Sequence, residues 1–305
     1  MSDVSVRLGA NKYGKAENRL VRITRDTARH EIEDLSVSSQ LYGAALADAY
    51  LTGDNSPVVA TDTQKNSIFA FAKEHGVGSP ERFLMTLAEH FTGEFDWIEG
   101  GLWQAEQYAW ERIVVDGAEH DHSFVRKGQG TRLATVQKRD GETHVTGGVK
   151  DLTVLKSSGS EFHGFPRDRY TTLVETDDRI MATSVTGRWR FLPEAVEAGI
   201  DYNGLYDEVM GVLLSTFASV HSLALQQTLY EMGKAAIVAR PEIAEVRFAM
   251  PNKHHFVYDL ARFGLDNPNE VFIADDRPYG LIEGTVIREG VADAPNAWRD
   301  VPSFV

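Results

Sequence analysis

The chain has 305 residues, 42% of them hydrophobic and 25% charged, with a formal net charge of −14 and no cysteine. That length allows one large domain or two ordinary ones, and the missing thiols exclude disulfides, thiolate nucleophiles, cysteine-ligated zinc and iron–sulfur clusters. The acidic balance and the lack of a long Lys/Arg run speak against a nucleic-acid partner. No apolar run reaches the ~18–20 residues that span a bilayer, and "MSDVSVRLGANKYGK" lacks the apolar core of a secretion signal, so a cytoplasmic location with no membrane partner is expected.

In chain order, residues 18–25 and 30–43 read as strands, the second alternating Ile32, Leu35 and Val37 loosely with polar positions. After the loop "LTGDNSPVV", a helix is expected from Thr61 to about His75, with Ile68, Phe69 and Ala72 on one side. Thr61 and Gln64 form a capping-box pattern at its start. Ser79-Pro80-Glu81 opens a second helix with a cap residue, a proline whose missing N–H costs nothing there, and an acid at the positive end. Its apolar stripe is Phe83, Leu84, Leu87 and Phe91. "WQAEQYAWERI", 124–126 and 131–139 read as strands, and "RDGE" turns the last into a strand over 143–149.

The second half repeats the order. Strands are expected at 152–156 and 179–191, and a long helix over 202–220 with Leu205, Val209, Leu213, Phe217 and Val220 on one face. A further helix over 224–239 stops before Pro241, followed by strands in "AEVRFAM", "HFVYDL" and "YGLIEGTVIRE". This is a repeat of architecture rather than of sequence. Neither half alternates β and α singly, so the expectation is α+β, two antiparallel sheets each with a pair of helices on one face. The seam at 147–151 divides modules 1–147 and 148–305.

Rival catalytic motifs are missing: no glycine-rich dinucleotide fingerprint, P-loop, H-E-x-x-H or G-x-S-x-G occurs. His120 and His122 would face one way if extended, but two imidazoles without a partner cluster are not a metal site, and a loop or interface role is the reading preferred. In "MPNKHHF", Asn252 and His254 fall on one side of an extended segment; the alternative is a solvated strand end. "SEFHGFPRDRYTTLVETDDRI" mixes Phe162, Phe165, Arg167, Arg169, Tyr170 and Arg179, a set suited to a planar anion, with a ring for its face and a guanidinium fork for its oxygens. The alternative is a loop whose arginines pair with Asp168, Asp177 and Asp178. Gln226 and Gln227 in "LALQQTLYEMG" offer amides that pair with a purine edge or simply coat a helix.

Together, "NKYGKAENRL", "VVATDTQKNS", "LTVLKSSGSEFHGFPRDRYTTL", "SLALQQTLYEMG", "PNKHHF" and "NPNEVF…DRPYGLIE" resemble the urate oxidase (uricase) family over nearly the whole chain. The resemblance implies tandem tunnelling-fold (T-fold) modules, urate and O2 as substrates, no metal, flavin or other cofactor, and a homotetramer with active sites at subunit interfaces. It implies that Lys15, Thr61 and Asp62 serve a site completed by a neighbouring subunit, and that the Thr61 hydroxyl lies within hydrogen-bond reach of the Lys15 amine. Phe162 would stack on the purine, Leu173 line the cavity and Arg179 clamp the ligand. The Leu225 N–H and the Gln226 amide would complete the clamp. Asn252 would stand at the oxygen site, and His254 would join Lys15 and Thr61 in a proton relay. Ser303-Phe304-Val305 is not an S-K-L address, which implies a bacterial-type cytoplasmic enzyme. A zinc-dependent pterin-forming cyclohydrolase of the same fold, or a purine binder without catalysis, are the alternatives.

Overall fold

The computed structural model of the protein describes residues 6–126, 128 and 130–301; the C-terminal tripeptide lies outside them. The chain divides into two compact units, one running up to Gly147 and including Asp293–Val301, the other covering Gly148–Ala292. Among the described residues, no helix is long and apolar enough to cross a membrane.

The first unit contains β1 (Tyr13–Thr24), β2 (Glu31–Tyr42), α1 (Ala47–Leu51), α2 (Thr61–Glu74), α3 (Pro80–Glu94), β3 (Gly100–Gln107), the hairpin β4 (Glu111–Val115) and β5 (Ala118–Val125), β6 (Thr131–Arg139), and the start of β7 (Glu142–Lys156). Its sheet runs β1-β2-β3-β6-β7, with antiparallel pairing from β1 to β6. α2 packs on β1, and α3 on β3 and β6. Leu35, Val37 and Leu41 of β2 and Phe83, Leu84, Leu87 and Phe91 of α3 are all buried in the core of this unit. The Ser79 hydroxyl caps α3 by accepting from the Arg82 N–H at 3.3 Å, a contact worth about 1 kcal/mol. Asp140 and Gly141 turn β6 into β7 with φ of 52° and 80°, the left-handed pair that a two-residue hairpin demands.

The second unit contains the rest of β7, β8 (Met181–Phe191), α4 (Pro193–Ala198), α5 (Tyr202–Ser219), α6 (Leu225–Ala239), β9 (Ile243–Ala249), β10 (Asn252–Val257), β11 (Phe272–Gly280) and β12 (Glu283–Ile287). β8 pairs with β7 and β9, β9 with β12, and β10 bridges β8 and β11. α5 packs on α6, which covers β9 and β12. Leu205, Val209 and Leu213 of α5 are buried with Trp189, Val246 and Phe248. The short α7 (Pro295–Trp298) belongs to the first unit.

Four local expectations are corrected. The strands expected at 143–149 and 152–156 are one continuous strand, β7, with only Asp151 at positive φ inside it. "WQAEQYAWERI" is broken between β3 and β4 rather than continuous. Phe69 is 42% exposed while Ile68 and Ala72 are buried. Finally, Thr61 does not cap α2: it is the first helical residue, Ala60 occupies the cap position, and no side chain closes it.

Candidate active site

In the second unit, three segments are laced together by backbone hydrogen bonds. Phe162 and Thr176 exchange both of theirs, at 2.9 and 3.2 Å. The Arg179 N–H donates to the Ser160 carbonyl at 2.8 Å, and the Glu161 N–H to that of Ser222 at 2.9 Å. The Asp178 carboxylate adds side-chain ties, accepting from the Ser158 hydroxyl at 2.7 Å and the Gly159 N–H at 2.8 Å. The buried Thr228 hydroxyl donates to Ser222 Oγ at 2.7 Å and fixes the approach to α6.

This lacing aims the side chains. The Arg179 guanidinium lies 5.0 Å from the Phe162 ring centroid, and the Phe165 ring stacks on Phe162 at 5.1 Å and 14°. Burial lowers the Arg179 pKa from its ordinary value, yet a guanidinium stays protonated at any physiological pH. Its Nε is buried without a hydrogen-bond partner. The loop arginines do not pair with Asp168, Asp177 and Asp178: Asp168 binds Thr171 and the Tyr170 N–H, Asp177 meets His163, and Asp178 holds the clasp. Arg167 and Arg169 instead lie over Phe165 and Tyr170.

α6 begins at Leu225 behind Ala224, with no side-chain cap. Its first N–H groups therefore remain open at the positive end of the helix, an arrangement that attracts anions. Leu225 is buried, and Gln226 is exposed beside it. Gln227 takes a structural part, its Oε1 accepting from the Leu223 N–H at 2.8 Å. Leu173 sits in the loop, 49% exposed. Asn252 opens β10 opposite Thr183 of β8 and Gly280 of β11. His254 stacks on Phe256 at 5.7 Å and 24°, so alternate residues of β10 share a side, as strand geometry requires.

The first unit carries the other group. Gly14 passes so close to β2 that a Cβ there would meet the Ser39 carbonyl oxygen at 1.8 Å. The register of β1 then shifts between Lys15 and Asn18, with Glu17 at φ 55° and its N–H donating to the Ser38 hydroxyl at 2.9 Å. Asn18 fills the irregularity by donating to the Lys15 and Val37 carbonyls at 3.3 and 2.8 Å. Bulges of this kind re-aim a side chain, here that of Lys15. The Tyr13 hydroxyl donates to the Val59 carbonyl at 3.0 Å and binds this strand to the approach of α2. Gln64 is fully buried between the Ser39 hydroxyl and the Val59 carbonyl, which is why it does not serve a capping box.

α2, like α6, starts behind an alanine with an open N-terminus, while α3 and α5 are capped by Ser79 and Asp201. Of the four helices of fourteen residues or more, the two without a side-chain cap are those whose first residues are Thr61-Asp62 and Leu225-Gln226. The Asp62 carboxylate accepts from Lys65 and Asn66 at 2.6 and 2.9 Å. The Lys65 bond is the main cause of its lowered pKa, and Lys15 lies near enough to contribute. No hydrogen bond joins the Thr61 hydroxyl to the Lys15 amine in this chain, so that expected direct contact is not formed here. Sequence reading named Asp178 only as a possible partner of the loop arginines and gave no role to Ser222, Thr228, Gly14 or Asn18, whose roles depend on partners far along the chain. His120 and His122 rings lie 4.5 Å apart, with His30 5.7 Å from His122; among the described residues no cluster is arranged to hold a metal.

A family model described as Uricase matches residues 11–137 and 145–283. The uricase of Arthrobacter globiformis is 55% identical over 298 residues, covering 97% of this chain and 95% of its own length. That of Dictyostelium discoideum is 36% identical over 280 residues, covering 91% and 96%. The crystal structure of the Arthrobacter globiformis protein superposes with a TM-score of 0.91 at 55% identity, over 97% of this chain and 100% of that one. Urate oxidase from Bacillus sp. TB-90, at 23% identity, shares the fold with a TM-score of 0.79 over 92% and 100% of the two chains. The architecture is therefore α+β, built as tandem tunnelling-fold modules, and the chain belongs to the uricase family.

Proposed function

We propose that the protein oxidises urate with O2 and water to 5-hydroxyisourate and hydrogen peroxide, without a cofactor, as a cytoplasmic homotetramer. The observation that carries this reading is the placement of the Arg179 guanidinium over the Phe162 ring, laced through Ser160 and Ser222 to the open N-terminus of α6. A flat purine anion needs a face to lie on, a fork for its carbonyl and amide edge, and N–H donors for localised charge. Phe162, Arg179 and the Leu225 N–H with the Gln226 amide supply these, and Leu173 closes the rim.

Oxygen is a triplet and urate a singlet, so a direct two-electron combination is spin-forbidden. The substrate must surrender one electron first, which it does more readily as a more highly charged anion. The site's work is thus to bind the anion, take a further proton and hold oxygen over the ring. Asn252 holds oxygen or the water that later replaces peroxide. Lys15, Thr61 and His254 form the relay that accepts the proton and returns it to peroxide. Radical recombination gives a hydroperoxide, peroxide departs, and water adds to the ring. Lys15, Thr61 and Asp62 of one subunit complete the site formed by Phe162, Arg179 and Asn252 of a neighbour, where the open end of α2 adds a second set of N–H donors.

Following the near-ultraviolet absorbance of urate in aerobic buffer, with peroxide measured in parallel, tests this reading. Loss of the band with one peroxide per urate, unchanged by a chelator, is expected. Urate retained unaltered on the protein would identify a binder, and loss abolished by chelation would require a metal.

A further inference from the structure

A cavity of about 420 Å³ in the first unit is lined by Asn11, Lys12, Tyr50, Arg139, Arg299 and Asp300, among others. Three cationic side chains face one carboxylate there, in a chain whose formal net charge is −14. The Lys12 amine stands 3.3 Å from Asp300 Oδ2, and an Arg139 Nη stands 3.8 Å from the same oxygen. One acceptor atom is thus shared by two cations. The Arg139 guanidinium stacks over the Tyr42 ring at 4.4 Å, and its Nε is buried without a hydrogen-bond partner. Among the described residues, Arg299 has no carboxylate within ion-pair distance.

We propose that this cavity binds inorganic phosphate as its dianion. The excess of two positive charges matches the charge of that ion. Two guanidinium forks and an ammonium group supply donors in the numbers that a tetrahedral oxyanion accepts. A buried guanidinium N–H without an acceptor costs free energy, which such an ion recovers. Chloride offers the charge of one such bond but not several acceptor atoms in fixed directions.

Lys12 lies three residues before Lys15, and its carbonyl accepts from the Tyr50 hydroxyl at 3.2 Å. Arg139 ends β6, and Arg299 and Asp300 follow α7. A bound phosphate therefore ties together the lead-in to β1, the end of β6 and the C-terminal segment. Its effect is read as binding and as stability of the whole protein, which keeps this inference separable from the urate reading.

The test is calorimetric titration and thermal melting of the full chain at pH 8 in sodium phosphate, against sodium chloride of matched ionic strength. Expected are a saturable binding isotherm and a rise in Tm of roughly 2–3 °C at ten times the Kd that grows with the logarithm of phosphate concentration, both absent in chloride. Arg299→Gln and Lys12→Gln should each weaken phosphate binding about tenfold or more, with Arg299→Gln leaving urate turnover and the melt in chloride unchanged. An equal rise in chloride, or variants that respond to phosphate as the parent does, would overturn the site.

Discussion

The Arg179 guanidinium lies 5.0 Å from the centroid of the Phe162 ring, and their backbones are tied together by the Arg179 N–H, which donates to the carbonyl of Ser160, two residues before Phe162. The pair is set by main-chain bonds rather than by its own attraction, so a ligand that displaces the guanidinium from the ring meets a platform already in place. If that platform holds urate, Arg179→Gln raises KM by roughly 10–100-fold, the value of a charge-assisted hydrogen bond. Phe162→Leu costs about 2–10-fold, the value of a lost aromatic contact. Steady-state kinetics with both variants checks the ranking; equal KM values in parent and Arg179→Gln would remove the arginine from the clamp.

Asp178 holds the clasp from outside the ligand. The Ser158 hydroxyl is the main cause of its lowered pKa. For a carboxylate depressed in the folded state, the contribution is present above the ordinary pKa and is lost only as pH falls through the lowered value. The clasp is therefore intact at neutral pH and loosens in acid. Asp178→Ala should raise KM for urate several-fold at neutral pH while the melting temperature stays near that of the parent, because the loop is exposed. A large drop in Tm with unchanged KM would make Asp178 a residue of general stability instead.

Gly14→Ala would place a methyl group 1.8 Å from the Ser39 carbonyl oxygen. β1 must move off β2, at a cost of about 1–3 kcal/mol or more, and the turn of backbone that aims Lys15 moves with it. Turnover should fall together with Tm, in contrast to Lys15→Met, which removes the amine and leaves the strand in place. Comparing the two variants by thermal melt and by kcat separates the effects.

Glu81 is buried against Arg132 at 2.8 Å, and burial pushes its carboxyl up to about 7 although Arg132 pulls the other way. An acid whose folded pKa lies above its ordinary 4.5 binds more protons folded than unfolded between those values. Its contribution to stability is full below the lower value and is lost as pH rises through the higher. The Tm of the parent should carry a component that declines between about pH 5 and about pH 8, and Glu81→Gln should lack it. Parallel pH profiles of Tm for the two proteins would refute the assignment.

Much of the architecture was legible because it rests on local pattern. The stripe Phe83, Leu84, Leu87 and Phe91 and the Ser79-Pro80 start are written in adjacent residues, and the structure realises both. What failed depended on distant partners. Thr61 and Gln64 have capping-box spacing, but the Gln64 side chain is claimed by Ser39 and Val59, which leaves the helix end open. The displaced register after Lys15 exists only through pairing with β2, and no spacing in β1 announces it. The clasp is equally silent in sequence, since Ser160, Arg179 and Ser222 come from separated loops. His120 and His122 fell outside the strands read from the sequence, which favoured a loop or interface role; β5 carries both, and their closeness to His30 came from the fold alone.

The central claim is a site assembled from two subunits, with Lys15 and Thr61 on one and Arg179 and Asn252 on the other. Subunit mixing tests it most directly. Lys15→Met and Arg179→Gln chains are co-expressed in equal amounts, the mixed oligomers are isolated by differential tags, and turnover is read at urate well below the parental KM, where each variant alone retains about a tenth or less of the parental rate. A site drawing one half from each of two subunits is intact at about one position in four, so roughly a quarter of the parental urate turnover should return. Mixed oligomers that stay as inactive as either parent variant would contradict a shared site.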